Sequence, residues 1–317
     1  MAFSFPTNHQ PFGTDVSRIS PTFSSSGSLP LTFWSSSRFR STRFSFFLNQ
    51  GYSIPGKLWK LLKKHLPKEP KVRKPGRPPV SNRDVLDGIW HVLWTGCQWK
   101  SIERDWFNVS SSVLHERFQT WQTQGLFEKL FKKMVKYYAR ECKIGWAWQS
   151  IDSMMSPSPL GGSKTGKNPT DRGKLGSKVH LLVDERGAPL SIFVTGANEH
   201  DKWSADDLIV HIVAKRPNTE QHFCADKGYD FEDVHTFVGL NNYIEHIKHR
   251  RRRNEPKDEC PVPGEKSFPA RRWVVERTFS WLSKRRSVAT RWCKKSQNWL
   301  AIVHMACAQI LLNIIFG

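Results

Sequence analysis

The sequence reads as two folded parts in series: an all-α part, then an α/β part built on a mixed sheet. Three observations predict this. Apolar residues recur at helical spacing from Ser81 to Lys143, and after Gly145 the period shortens to that of strands. Beyond that point three strands in a row give way to alternating helices and strands, the pattern of a mixed sheet with helices on its faces. At 317 residues the chain can bury a substantial core and has room for about two domains. The divisions fall at 1–50 (an extension outside the fold), 51–80 (a basic helix and linker), 81–145 (the helical part) and 146–317 (the sheet part).

Residues 1–50 contain no Lys, one acidic residue (Asp15), four Arg and many Ser and Phe. Two readings stay open: an organellar transit peptide, which is Arg- and Ser-rich and acid-poor, or a translated upstream stretch that folds into nothing. The lack of an amphipathic repeat favours the second. Residues 51–66 read as a short basic amphipathic helix with Leu58, Leu61, Leu62 and Leu66 on one side. The Pro- and Lys-rich linker after it holds Gly76-Arg77-Pro78, which reads first as a flexible basic linker and second as a segment that inserts Arg77 into a narrow minor groove.

Ser81 is a suitable N-cap for a helix carrying Val85, Leu86, Ile89, Trp90 and Leu93, stopped at Gly96. A second helix holds Trp99, Ile102, Trp106 and Phe107. A third follows Ser110-Ser111-Ser112, with Leu114, Phe118 and Trp121 inward and His115, Arg117 and Gln119 outward. Gly125 precedes a fourth, Leu126 to Arg140. This order suits either a helix-turn-helix DNA reader, the third helix entering the major groove, or a plain bundle with a wet face. In the sheet part strands are expected at 146–152, 177–184 and 189–194, the last two joined by a turn at Glu185-Arg186-Gly187. A helix around 204–215, a strand 221–225, a helix around 231–240 and a strand 243–248 follow. Two helices, 270–286 and 298–316, complete the pattern.

Lys plus Arg number 49 against 28 Asp plus Glu, a net charge of +21, and fourteen Trp accompany the basic clusters. The combination points to nucleic acid as partner. The six cysteines (97, 142, 224, 260, 293, 307) form no C-x-x-C pair, which argues against zinc and against a disulfide framework and fits a reducing compartment. Trp299 to Phe316 is apolar enough to resemble a membrane span. Its His304, Gln309 and Asn313 make a buried helix the better reading, so no transmembrane segment is expected.

Three carboxylates carry the candidate chemistry. Asp152 and Asp226 each end a short apolar run, where open α/β sheets place ligand sites; an acid there is costly unless paired or bound to a metal. Gly228, lacking a Cβ, would let a substrate backbone come close to Asp226. Glu276 lies on a helix among Arg271, Arg272, Arg277, Lys284, Arg285 and Arg286, more cations than one surface ion pair needs. Converging carboxylates can hold two divalent ions that activate an attacking oxygen and stabilise a leaving one at phosphorus. Asp201 is a weaker candidate for a supporting role. Asp171, Asp184 and Asp230 sit beside turns, where Asp commonly bonds locally. The basic run 249–253, with Arg250 and Arg251, is placed to clamp a DNA backbone.

Several runs resemble bacterial insertion-sequence DDE transposases of the insertion-sequence-five group: Ser-Ile-Asp-Ser at 150–153, the fifteen residues 166–180, Val-Thr-Gly-Ala-Asn-Glu-His-Asp at 194–201, Ala-Asp-Lys-Gly-Tyr at 225–229 and Arg-Trp-Val-Val-Glu-Arg-Thr-Phe at 272–279. The similarity covers about residues 52–317, and Trp94-Thr95-Gly96-Cys97-Gln98-Trp99 extends it into the helical part. The resemblance implies a ribonuclease H-like catalytic domain preceded by an all-α DNA-binding domain, with Asp152, Asp226 and Glu276 as catalytic and metal-holding residues for Mg²⁺ or Mn²⁺. It implies cleavage at element ends and joining of the freed 3′-hydroxyls to target DNA. The partners implied are terminal inverted repeats, target DNA and further copies of the chain in a synaptic complex, in the bacterial cytoplasm on the nucleoid. Arg272 meets the family's Arg four residues before the Glu; Pro269 stands where a Tyr is frequent, and Ser283, with Lys284 one later, where a Lys is usual. Arg77, Arg250, Arg251, Arg272, Arg277, Lys284 and Arg285 are the expected DNA contacts. Two other readings stand beside this one: a catalytically silent DNA-binding descendant, and a metal-dependent nuclease without strand transfer.

Overall fold

A short helix α1 (Gly56–Leu62) opens the fold, with Leu58 and Leu62 wholly buried and Leu66 just beyond them. The computed structural model describes residues 53–69, 79–250 and 271–317. The expectations for residues 1–50, for Arg77 and its linker, and for Arg251 lie outside these. α1 is tied to α2 (Asn82–Thr95) by Arg83, whose Nη2 donates to the Ile54 carbonyl at 2.8 Å and whose Nε pairs with Asp87 at 3.0 Å. Ser81 caps α2 as expected, its Oγ accepting from Asp84 N at 3.1 Å, and Gly96 ends it in the left-handed conformation.

The single helix expected around Trp99–Phe107 is split into a 3-10 turn (Trp99–Ser101) and α3 (Arg104–Phe107). Ile102 lies extended between them and is buried, so the break serves the core rather than exposing it. α4 (Ser111–Thr123) buries Leu114, Phe118 and Trp121, and Ser110 caps it. α5 (Leu126–Cys142) buries a full face from Leu126 to Tyr138.

The sheet comprises β1 (Trp148–Pro157), β2 (Gly166–Lys167), β3 (Leu175–Asp184), β4 (Pro189–Gly196), β5 (His222–Ala225) and β6 (Ile244–Ile247). Its main order is β4-β3-β1-β5-β6; β2 adds two residues to the β3 edge beyond β4. β4, β3 and β1 run antiparallel in turn, whereas β5 and β6 lie parallel to β1 and to each other. This is the ribonuclease H-like arrangement, preceded by the helical part. α6 (Trp203–Val210) packs on β3 and β4, and α7 (Glu232–Leu240) on β6.

β1 corrects one expectation. Instead of ending at Asp152, the strand continues to Pro157 because β3 keeps pairing with it as far as Gly176. The Ser and Met residues at 153–156 do not alternate cleanly enough to show this in sequence. The helix expected from 270 to 286 also differs. α8 (Trp273–Ser283) stops, Arg285 turns extended, and a short α9 (Arg286–Ala289) follows. The Arg285 guanidinium goes inward to Gln309, which pulls the backbone out of helical register.

α10 (Ser296–Phe316) is the central helix of the molecule. By length and composition it is the one helix among the described residues able to cross a membrane, yet 72% of its most apolar window is buried inside the fold. It packs on α5 on one side and on β4, α8 and α9 on others, joining the helical and sheet parts through one continuous core. Burial of apolar area at about 25 cal/mol per Å² makes this interface the main tie between the two parts.

Candidate active site

β1 and β5 pair in parallel at Trp148 with His222, Gln149 with Phe223 and Ser150 with Cys224, a constant offset of 74 residues. Two residues further, the same register sets Asp152 level with Asp226, on neighbouring strands spaced about 4.8 Å apart. Pairing between the two strands has ended there, so the carboxylates stand where the sheet opens. Asp152 therefore lies mid-strand along β1, but at the end of its contact with β5. Each aspartate accepts from the next backbone amide, Asp152 from Ser153 at 2.7 Å and Asp226 from Lys227 at 2.8 Å.

Burial pushes the Asp152 carboxyl up to about 6, and the nearby Asp226 and Asp201 carboxylates push in the same direction; the Ser153 amide and the Arg272 guanidinium oppose it. Asp152 thus holds its proton more readily than a free carboxyl, chiefly because it is buried.

Glu276 comes from α8. Val274, Val275, Thr278, Phe279 and Leu282 bury one face of this helix, leaving Glu276 beside the stripe and about half exposed. Three bonds seat α8 on the sheet: Ser150 Oγ donates to the Arg271 carbonyl at 3.2 Å, Thr278 Oγ1 to the Gly187 carbonyl at 2.8 Å, and Arg277 Nη2 to the Arg186 carbonyl at 2.7 Å. Arg272 then joins the acids. Its Nη2 lies 2.9 Å from Glu276 Oε1, and its Nη1 hydrogen-bonds Asp226 Oδ1. The i,i+4 pair open to Glu276 exists, but the same guanidinium also reaches across to the sheet.

Among the described residues no three His, Cys, Asp or Glu side chains are gathered tightly enough to hold a metal ion. The arginine fork lies between Asp226 and Glu276. The donor set is nonetheless suited to a hard divalent cation: three carboxylates, oxygen only, one of them partly desolvated.

The expected DNA contacts divide. Arg272 and Lys284 are accessible, and Arg250 is exposed, its backbone amide held by Asp230 Oδ2 at 2.7 Å. Arg285 is a correction. It is 3% exposed, bonded to Gln309 and the Trp281 carbonyl and stacked near Trp94, and burial lowers its pKa to about 10. It is a core group, out of reach of a duplex. Arg277 lies 4.9 Å from both the Trp273 and Trp281 rings and holds Arg186, so it too is engaged in docking α8. A Cβ added at Gly228 would meet nothing within 4 Å beyond its chain neighbours, so the space beside it, two residues from Asp226, is open.

Sequence reasoning missed Lys178 and His180. Lys178 is nearly buried and pairs with Asp201 at 2.8 Å; His180 is bonded through one ring nitrogen to Thr195 (2.7 Å) and through the other to Ser204 (2.8 Å). Burial lowers His180 to about 4, so it is neutral. A Lys and a His at alternate positions of an otherwise apolar strand were the available signal. Asp201, a weak candidate in sequence, lies near enough for its charge to raise the Asp152 pKa.

Comparison with known proteins adds the following. The family profile described as "Transposase DDE domain" matches residues 149–311, and one described as "Putative transposase of IS4/5 family" matches residues 54–131. The chain is 33% identical over 162 residues to a "Putative transposase for insertion sequence element IS402" of Burkholderia cepacia, covering 48% of this chain and 71% of that protein. It is 28% identical over 138 residues to a "Putative transposase for insertion sequence element IS6501" of Brucella ovis, covering 43% and 98%. Among solved structures, the Mos1 transposase paired-end complex with left transposon end aligns over 77% of this chain and 82% of that one, at 11% identity and a TM-score of 0.24, an overlap too slight to weigh.

Proposed function

We infer the reaction from one premise: the chain belongs to the DDE-domain transposase family. It is a DNA transposase of the insertion-sequence kind. The finer reading is ours. Asp152, Asp226 and Glu276 form the catalytic set, residues 81–145 recognise element ends, and 146–317 carry the chemistry, in an oligomer that holds two ends together on bacterial chromosomal DNA. The observation that carries the site is the shared level of Asp152 and Asp226 with Arg272 bridging to Glu276.

In this reading the three carboxylates hold Mg²⁺ or Mn²⁺, which supplies Lewis-acid stabilisation of charge developing at phosphorus. The chain's own residues do the positioning. β1 and β5 fix the two aspartates on a rigid sheet, and α8 brings Glu276 in from the side. In the first step a water oxygen bonds to phosphorus, the bond to the 3′-oxygen breaks, and that oxygen leaves as a 3′-hydroxyl. In the second, the freed 3′-oxygen attacks a target phosphorus and displaces the target's own 3′-oxygen.

The test incubates the full chain with DNA carrying the element ends and Mg²⁺ or Mn²⁺, resolving cleaved and joined products on a gel. Cleavage and joining are expected. Asp152→Ala, Asp226→Ala and Glu276→Ala should each abolish both while leaving duplex binding largely intact. Cleavage without joining would favour the nuclease reading, and binding without cleavage the silent descendant. Full activity in any one variant removes that residue from the set.

A further inference from the structure

A row of exposed positive charge lies away from the carboxylates, on α5 and the chain just past α1. Lys129, Lys133, Lys136 and Arg140 fall at i, i+4, i+7 and i+11 of α5, a single narrow stripe opposite the face that packs on α10. Lys64 and His65 approach it from the α1 side and complete a groove of roughly 500 Å³ with an apolar floor that includes Leu61 and Leu130. Acids neutralise it only at its margins, at Lys132 and Arg140. Glu128 is engaged by Lys132 at 2.6 Å and Glu141 by Arg140 at 2.8 Å, and no carboxylate among the described residues pairs with Lys64, Lys133 or Lys136. Burial and then the Lys133 and Lys64 charges lower the pKa of His65, consistent with uncompensated positive potential in the groove.

The helix expected to read bases, α4, carries nothing comparable. Its Arg117 donates to Asn82 at 3.1 Å and its His115 lies against Trp99 and Gln119, leaving no row of free cations.

We propose that the α1–α5 groove is a track for the phosphate backbone of duplex DNA, bound without regard to sequence. This rests on the transposase reading and deepens it, separating backbone grip from end recognition. The stripe from Lys129 to Arg140 is about 16 Å long. One DNA strand rises about 3.4 Å per phosphate but winds around the duplex as it does so, so the straight stripe faces a few phosphates before the strand turns away. Phosphate contacts of this kind set register and orientation while carrying no sequence information. A row of cations with an apolar floor matches the anionic backbone of a duplex.

The experiment measures binding of the full chain to a fluorescent random-sequence duplex across a range of salt. The Lys64→Gln, Lys133→Gln, Lys136→Gln triple variant should reduce the magnitude of the slope of log K against log salt by about 2 to 3, near 0.9 for each phosphate no longer neutralised. Low-salt affinity should drop at least about tenfold, equally on every sequence tried. The matching Lys→Arg triple should retain the slope. These side chains are exposed, so the fold should survive, and circular dichroism checks it. A Gln triple with the wild-type slope overturns this surface while leaving the transposase reading in place, and the groove is then a solvated face or serves an acidic protein. A wild-type chain that binds no duplex overturns both.

Discussion

The Arg272 guanidinium stands 2.9 Å from the Glu276 carboxylate, one turn along α8, and its other nitrogen holds Asp226 on the sheet. A single side chain thus spans two elements that the sequence separates by about fifty residues. Both ion pairs are roughly half exposed, so their worth to stability is small, about 0–1 kcal/mol. Their effect is on geometry.

Arg272→Gln should therefore leave the melting temperature almost unchanged yet lower end cleavage by about a hundredfold, the scale of a misplaced reacting group. Arg272→Lys should fail to rescue it, because an ammonium cannot fork between two carboxylates. The guanidinium competes for the same oxygens as a cation, so Arg272→Gln should also bind Mn²⁺ more tightly, read by electron paramagnetic resonance. Unchanged Mn²⁺ affinity would show that the arginine and the metal do not share ligands.

Tyr138 Oη donates to Asp184 Oδ2 at 2.6 Å, beside the Gly145, Arg186 and Ala188 amides that bond the same carboxylate. Tyr138→Phe should cost about 1–3 kcal/mol in urea unfolding. Burial already raises the Asp184 pKa and the Tyr138 bond restrains that rise, so the cost should grow as pH increases. An equal cost at all pH values would mean that Asp184 does not titrate differently in the variant.

Acid sensitivity should come in part from His304. Burial lowers it from 6.5 to about 4, where it stacks on Phe131. The unfolded chain takes a proton below pH 6.5 and the folded chain only near pH 4, so stability is lost as pH falls through that window. The loss is at most about 3 kcal/mol. His304→Leu should flatten the melting profile between about pH 7 and 4. An unaltered profile would assign the acid sensitivity to other groups, His180 among them.

Gly187 has φ of +81°, and a Cβ there would meet Thr278 Oγ1 at 2.6 Å. Gly187→Ala should destabilise the fold by more than about 1 kcal/mol and loosen the seat of α8, reducing cleavage through Glu276. Gly228→Ala, where nothing lies within 4 Å, should leave the melting temperature alone. Equal melting shifts for the two variants would contradict this account of α8 docking.

Much of this was legible in sequence because local rules governed it. The Ser81 and Ser110 caps, the Gly96 stop, the inward faces of α2 and α4 and the alternation of the sheet part follow from periodicity and capping chemistry. What stayed hidden depended on distant partners. The length of β1 is set by β3, and the fate of Arg285 by Gln309. The bridge from Arg272 to Asp226 depends on a docking that no local pattern encodes. A run of arginines looks alike in sequence whether it faces solvent, as Arg272 partly does, or fills the core, as Arg285 does.

The pairing of α5 with α10 also has a consequence in time. The apolar face of α5 is complete once Cys142 has been made, but its cover lies in Ser296–Phe316. At about 5–20 residues per second, synthesis of the intervening chain takes roughly ten to thirty seconds. For that interval the part of the α5 face that α10 covers in the finished fold, Phe131 against His304 included, lacks that partner. Apolar surface left open for that long is the kind that aggregates without chaperones, and a ribosome stalled in the sheet part prolongs the interval.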